Sequence, residues 1–162
     1  MINETMQAAL NEQITKEYYS AYMYLAMSCY FFEEGLTGFY HWMKKQAEEE
    51  AEHAMKIINY LILRGGKVYL ENLEAPPKDW ECPLCVMEKA LEHEQYISKS
   101  VKELLYLAEA EDDKATENFL GWFIDEQTEE EANFRDIIRK LKMVGESQSG
   151  WLLVDRELSQ RD

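Results

Sequence analysis

The feature that most constrains this chain is the spacing of its apolar residues, which recur at steps of three and four along four stretches. These stretches run from Leu10 to Phe31, Met43 to Tyr60, Met87 to Leu104 and Phe123 to Leu141. Such steps place side chains on one face of an α-helix, and four sustained seams are typical of helices packed in a bundle. Because 46% of the 162 residues are hydrophobic, the chain can fill the core of one all-α domain.

Residues that favour helix ends separate the four stretches, namely glycine after a helix, a hydroxyl or carboxylate before one, and proline in a first turn. They predict a first helix over about 4–34 and a second helix that is capped by Thr37 and runs to Gly65–Gly66. The third helix starts at Pro83, and the fourth runs from the corner at 112–113 to about Gly145. A short fifth helix is predicted over 148–160.

The connection over 66–81 is long enough to change the order in which the helices pack. Its 16 residues can span ~53 Å at ~3.3 Å each, whereas the second helix is only ~42 Å long. The connection can therefore run back along the bundle and leave the second and third helices parallel. We predict a four-helix bundle with one long crossover over 1–145, followed by a short C-terminal helix and tail over 146–162.

Polar residues interrupt each seam near its middle. They are Glu17 in the first, Glu50 and His53 in the second, Glu94 in the third, and Gln127 and Glu130 in the fourth. Glu17 and Glu50 are 33 positions apart, as are Glu94 and Gln127, and His53 and Glu130 are 77 apart, as are Glu17 and Glu94. The chain therefore contains two copies of a helical hairpin, each with one carboxylate on its first helix and an i, i+3 pair on its second.

In an aligned bundle these six side chains meet at one height inside the core. Buried carboxylates cost several kcal/mol each unless they are paired or protonated, and no Lys or Arg lies on the seams. Two divalent cations would match the four negative charges. The donor set suits Fe(II) or Mn(II), with Zn(II) as a competitor. The alternative is that the glutamates form solvated helix faces, paired with lysines such as Lys44 and Lys45.

A net charge of −15 excludes a nucleic-acid backbone or an anionic membrane surface as a partner and favours cations. No stretch approaches the ~18 apolar residues of a membrane span. The N-terminal sequence MINETMQAALNEQ lacks the features of a secretory signal. The odd number of cysteines predicts no disulfide framework, so we expect a cytoplasmic protein.

Cys82 and Cys85 form a CPLC motif at the predicted start of the third helix. A helix N-terminus favours the thiolate form. A disulfide switch and a metal shared across a subunit interface are both open for this pair.

Several segments together resemble the non-haem bacterial ferritins across essentially the whole chain. They are NEQITKEYYSAYMYLAMS, HWMKKQAEEEAEHAMK, ALEHEQYI, NFLGWFIDEQTEEE and DRELSQRD. The resemblance implies a ferritin-like bundle, twenty-four of which form a hollow shell. It also implies a centre in each bundle that oxidises Fe(II) with O2 or H2O2, the Fe(III) being stored as mineral inside the shell.

The resemblance also implies a role for each matching residue. Glu17, Glu50 and His53 bind the first iron, Glu50 bridges, and Glu94 and Glu130 bind the second. Gln127 acts beside the second iron through a hydrogen bond. Further roles are implied for Tyr24 as an electron donor, for Trp122 as a weaker redox candidate, and for Glu49, Glu126 and Glu129, with Glu130, as a third iron site.

One departure bears on the cofactor. Haem-containing relatives have Met directly after the first-motif glutamate, and here that position is Ala51, so no haem is expected. Two other functions stay open, namely a passive storage shell and a di-metal oxidase or peroxidase that forms no cage.

Overall fold

A computed structural model describes all residues of the chain, 1–162. It contains five α-helices and no strands. The helices are α1 (Glu4–Glu33), α2 (Thr37–Leu63), α3 (Pro83–Ala110), α4 (Lys114–Val144) and α5 (Gln148–Leu158). The predicted arrangement of four long helices and one short helix is confirmed. None of the five combines the length and the apolar character that crossing a membrane requires.

Contacts at the helix ends establish the directions of the helices. Asn3, before α1, donates to the carboxylate of Glu111, after α3, at 2.8 Å, so α1 and α3 are antiparallel. Arg64, after α2, donates to Asp113, before α4, at 3.1 Å, so α2 and α4 are antiparallel. Because α1 and α2 form a hairpin, α2 and α3 run parallel, as the long crossover predicts.

The crossover is fixed to α1 by a buried asparagine. The amide of Asn11 donates to the carbonyl oxygen of Lys67 at 2.8 Å and accepts from the backbone N–H of Tyr69 at 2.7 Å. Asn11 thus satisfies backbone groups that have no helical partner, which is the usual condition for burying a polar side chain.

The core consists of two apolar clusters. The larger includes Tyr24, Phe31, Phe39, Phe134 and Leu158, and the smaller includes Met6, Leu10, Ile57, Leu104 and Phe123. Along each of the four long helices, the polar residues that interrupt the apolar seam lie between the residues of the larger cluster and those of the smaller cluster. A close-packed apolar cluster at each end therefore fixes the height at which the four helices bring their polar residues together.

Helix α5 supplies the cap at the start of α2. We predicted that Thr37 caps this helix, and that prediction is wrong, since Thr37 is its first helical residue and Leu36 makes no capping bond. Instead the carboxylate of Asp155 accepts from the backbone N–H of Phe39 at 2.9 Å. A negative group at a helix N-terminus is favourable. The cap is therefore tertiary and cannot be recognised from neighbouring residues.

Replacing Gly38 by alanine is expected to displace α5 and destabilise the fold. An added Cβ would lie 1.7 Å from the backbone oxygen of Asp155, so one backbone must move. We expect a loss of about 3 kcal/mol in the free energy of unfolding, measured by urea denaturation. Gly121→Ala is the matched control, because its Cβ would meet nothing within 4 Å. Equal stability of the two variants would contradict this packing.

Cys82 and Cys85 form a disulfide, whereas Cys29 is free and exposed. The structure thus has a single disulfide within the CPLC motif, which agrees with one of the two possibilities left open for this pair, and its action as a switch stays a prediction. Cys82 is the N-cap residue of α3, and its sulfur accepts from the backbone N–H of Cys85. This capping geometry places the two Cα atoms 5.0 Å apart, within the range that a disulfide spans.

Candidate metal centre

The six polar residues of the seams meet in the middle of the bundle. Glu17, Glu50 and Glu94 have no exposed surface, and His53, Gln127 and Glu130 are also buried. Each lies where its helix continues an apolar stripe, so helix packing carries it inward together with its apolar neighbours. The predicted position of these residues on the buried seam is confirmed.

One group of possible ligands combines Glu17, Glu50 and His53, whose ligand atoms all lie within 4.8 Å of one another. The Nδ1 atom of His53 is 3.3 Å from Oε2 of Glu50 and 4.0 Å from Oε2 of Glu17. These three atoms are also buried without any hydrogen-bond partner. A buried polar atom without a partner costs free energy. Three such atoms close together, each able to coordinate a metal, therefore fit a divalent cation.

A second group combines Glu50, Glu94 and Glu130, again with ligand atoms within 4.8 Å of one another. Glu50 belongs to this group as well as to the first, so its carboxylate is available to two neighbouring cations. The residues present therefore fit two adjacent metal ions that share one ligand.

Three amides orient the carboxylates. Gln13 donates to Glu17 at 2.9 Å, Gln46 to Glu130 at 2.6 Å, and Gln127 to Glu94 at 2.9 Å. Of these three, only Gln127 was predicted to have a role. Gln13 and Gln46 each lie four residues before a seam glutamate, and this i, i+4 spacing was the signal that could have revealed them.

Burial and mutual repulsion make the centre hold protons when no metal is bound. Burial and the charge of Glu94 raise the pKa of Glu130 from 4.5 to about 8. Burial raises the pKa of Glu94 to about 7, against the hydrogen bonds from Tyr24 and Gln127. Burial and three neighbouring carboxylates raise the pKa of Glu50 well above its ordinary value. Divalent cations would replace these protons.

Tyr24 is fully buried and its hydroxyl donates to Glu94, a member of the second group. Burial and the charges of Glu94 and Glu50 raise the pKa of Tyr24, so the phenol stays protonated and keeps this hydrogen bond. Trp122 is more exposed, and its ring centroid lies 5.3 Å from the ring centroid of His53. The ammonium group of Lys56 lies 3.5 Å from the centroid of the Trp122 ring.

The residues expected at a third iron site are only partly together. Glu126 lies 3.7 Å from Nε2 of His53 and forms a group with His53 and Glu130. Glu49 instead pairs with Arg161 at 2.7 Å, and Glu129 is exposed. Neither Glu49 nor Glu129 belongs to any group that could hold a metal ion.

A bundle with buried carboxylates and one histidine at its centre defines the class of di-metal carboxylate bundles. The chain matches the family model of the ferritin-like domain over residues 7–144. It is 46% identical over 161 residues to the bacterial non-heme ferritin of Bacteroides fragilis, across 99% of this chain and 100% of that one. The Campylobacter jejuni ferritin is 40% identical over 156 residues, across 96% of this chain and 93% of that protein.

Solved structures give the same result. The open-pore ferritin of the archaeon Archaeoglobus fulgidus is 47% identical, covers 100% of both chains and superposes with a TM-score of 0.98. The chain belongs to the ferritin family. Membership of this family supports iron storage and iron oxidation as the general function, and the cluster of carboxylates and one histidine agrees with that function.

Proposed function

We propose that this protein is a ferritin that oxidises Fe(II) with O2 or H2O2 at the buried centre and stores the Fe(III) as a mineral inside a shell of 24 subunits. The observation that carries the proposal is that Glu50 belongs both to the group with Glu17 and His53 and to the group with Glu94 and Glu130. Two Fe(II) ions held side by side can deliver two electrons to one oxidant. Iron is the substrate here, and Zn(II) or Mn(II) would compete for the same ligands.

Each residue of the centre has a distinct part in this proposal. Glu17 and His53 hold the first Fe(II), Glu94 and Glu130 hold the second, and Glu50 bridges them. Each Fe(II) loses one electron, and the pair of electrons, with two protons taken from solvent, reduces O2 to H2O2, or H2O2 to two molecules of water. Metal binding displaces the protons held by the carboxylates, which leave to solvent.

The hydrogen-bonding residues fix the ligands rather than react with iron. Gln13, Gln46 and Gln127 hold carboxylate oxygens in place, and such partners typically change metal affinity or activity 10- to 100-fold when lost. Tyr24 is an oxidisable side chain in direct hydrogen-bond contact with a ligand, since its hydroxyl donates to Glu94. When only one Fe(II) is available to be oxidised, we assign Tyr24 the role of supplying the second of the two electrons that the oxidant takes up, with its phenolic proton passing to that carboxylate.

The second iron is held without a histidine, because Gln127 occupies the position equivalent to Glu50 and Glu130 the position equivalent to His53. Weaker binding there would favour release of the product. The negative net charge of the protein, formally −15 per chain, would draw Fe(II) to the shell. Glu126, within the group of His53 and Glu130, provides a further carboxylate beside the centre.

The experiment that tests this proposal combines size and iron loading. Size-exclusion chromatography of metal-free protein is expected to give a species of about 460 kDa, 24 times the chain mass of 19.1 kDa. Aerobic addition of Fe(II) well beyond two ions per subunit is then expected to leave the iron soluble and bound to that species. A monomer or dimer with oxidase activity would establish the di-metal enzyme without a cage. A shell that oxidises iron no faster than buffer would establish passive storage.

A further inference from the structure

A chain of three hydrogen bonds joins Lys16, near the surface of α1, to the buried ligand Glu17. The ammonium group of Lys16 donates to Oγ of Ser100 on α3 at 3.0 Å. The hydroxyl of Ser100 donates to Oε1 of Gln13 at 2.6 Å, and the amide of Gln13 donates to Oε1 of Glu17 at 2.9 Å. Gln13, Ser100 and Glu17 are buried, whereas 22% of the Lys16 side chain is exposed. The hydrogen bonds therefore connect a partly exposed cation to a carboxylate of the centre.

The chemistry of Lys16 sets the direction of all three hydrogen bonds. An ammonium group has donors only, so Oγ of Ser100 accepts from it and the single hydroxyl hydrogen of Ser100 points to Gln13. The oxygen of the Gln13 amide then faces Ser100, and its NH2 group faces Glu17. The reverse orientation of this amide would bring its oxygen against a carboxylate. Without the ammonium group, the hydroxyl of Ser100 is free to turn to the backbone of its own helix, as helical serines often do.

This arrangement fixes how Glu17 presents itself to a cation. One oxygen of its carboxylate, Oε1, is held by Gln13. The other, Oε2, is buried without a hydrogen-bond partner and lies 4.0 Å from Nδ1 of His53. Because one oxygen is held, the plane of the carboxylate is set and the second oxygen faces the position shared with Glu50 and His53.

Lys16 brings a positive charge to this network without entering an apolar seam, where no Lys or Arg is found. A second contact holds its ammonium group in place, because Oε1 of Glu12, one turn earlier on α1, lies 3.0 Å away. Lys16, Glu12, Gln13 and Ser100 line a cavity of about 140 Å³ between α1 and α3. In a buried chain of hydrogen bonds each bond polarises the next, so the charge strengthens the hold on Glu17 from outside the centre.

We propose that Lys16 and Ser100 are positioning residues of the metal centre, which act through Gln13 to hold Glu17 ready for the cation that it shares with His53. This inference rests on the proposed function. Neither residue touches a cation. Glu94 and Glu130 are oriented by other amides, so loss of the hydrogen-bond chain is expected to weaken the cation position at Glu17 and to spare the others.

The test is an anaerobic titration of metal-free protein with Co(II), measured by calorimetry as separate binding steps. Glu17→Ala identifies the step of interest, because Glu17 belongs to only one group of possible ligands. Ser100→Ala is expected to weaken that step about 10-fold and to leave the other steps unchanged. Lys16→Met keeps the apolar stem and is expected to weaken the same step by about 3-fold, since Ser100 retains its own hydrogen bond to Gln13.

Each variant has a matched control. Ser28→Ala removes a buried hydroxyl that bonds only within α1, to the backbone oxygen of Leu25. Lys102→Met removes the same charge as Lys16→Met from an exposed position on α3. Both controls are expected to bind Co(II) as the natural chain does. The double variant Lys16→Met with Ser100→Ala is expected to bind no more weakly than Ser100→Ala, because Lys16 acts through Ser100.

The outcomes separate this inference from the proposed function. Unchanged affinity in Ser100→Ala and Lys16→Met would overturn the inference, and so would equal weakening of every step, which is the result of a merely structural role. A double variant that adds the full effect of Lys16→Met to that of Ser100→Ala would overturn the part assigned to Lys16. If Ser100→Ala does not fold, Lys16→Met decides alone, with Lys102→Met beside it. Absence of Co(II) binding in the natural chain would instead overturn the proposed function.

Discussion

Replacing Glu50 by alanine is expected to abolish the rapid oxidation of Fe(II), slowing it by roughly 100-fold or more. Hydrogen-bonding partners beyond the ligands typically contribute 10- to 100-fold, and a ligand shared by both ions contributes at least as much. Glu50 is the only residue common to the groups with Glu17 and with Glu94. Its loss removes the bridge and leaves each ion with two of its three protein ligands.

The measurement is stopped-flow absorbance after two Fe(II) per subunit are added aerobically to metal-free protein. Glu48→Ala is the matched control, because Glu48 lies on the same helix but is exposed and pairs with Lys45. We expect the fast ferric signal in the natural chain and in this control only. Equal, slow oxidation in all three proteins would mean that the buried residues do not form an oxidase, and would favour the passive shell.

Removing the metal is expected to make stability depend on pH in an unusual direction. Burial raises the pKa of Glu94 to about 7 and that of Glu130 to about 8, both above the 4.5 of the unfolded chain. Above pH 4.5 and up to pH 7 for Glu94 or pH 8 for Glu130, the folded protein keeps a proton on the carboxyl group that the unfolded chain has lost. A group with a raised folded pKa stabilises fully at low pH, and this stability is lost as pH rises through the folded pKa.

Below pH 6.5 a buried histidine opposes this trend. Burial lowers the pKa of His93 from 6.5 to about 4, so the unfolded chain takes up a proton there that the folded protein does not, and stability falls with falling pH. The two carboxylates outweigh this one histidine above pH 4.5, and from pH 6.5 to 8 the histidine no longer opposes them. At about 1.4 kcal/mol per pH unit for each group, the metal-free protein is expected to lose roughly 3 kcal/mol across this range.

Urea unfolding of the metal-free protein at pH 6.5 and pH 8 measures this loss. Glu130→Gln cannot ionise and is expected to reduce the loss by more than half. Saturation with Zn(II) is expected to reverse the trend, because the metal binds the deprotonated carboxylates more tightly at higher pH. A metal-free protein that is equally stable at both pH values would show that the centre is not proton-loaded as described.

Much of the fold and the centre could be predicted from local patterns. Helix periodicity, glycines and the proline at 83 locate the helices to within about two residues. The repeated offsets between Glu17, Glu50, Glu94 and Gln127 bring the polar residues together, because helices packed in register keep equal spacings at equal heights. These features depend only on residues close in sequence or on a repeat, so they are visible without coordinates.

Contacts between distant segments could not be predicted in this way. The cap of α2 comes from Asp155, and the amide oxygen of Gln46 accepts from Arg161, in each case more than a hundred positions along the chain. Glu49 and Glu129 share the sequence pattern of Glu126, yet only Glu126 joins His53, since the tail occupies Glu49 and solvent surrounds Glu129.

The helices, their order and the layer of carboxylates follow from local sequence patterns, because periodicity decides which face of a helix is buried. The resemblance to ferritins had already implied Glu50 as the shared carboxylate and Gln127 as a hydrogen-bonding amide, whereas the amides of Gln13 and Gln46 and the place of the tail became visible only in the folded chain. Those choices depend on distances of a few ångströms between side chains of different helices. A one-dimensional pattern specifies the face and the height of a residue, and the direction of its polar atoms is set by the partners that packing brings to it.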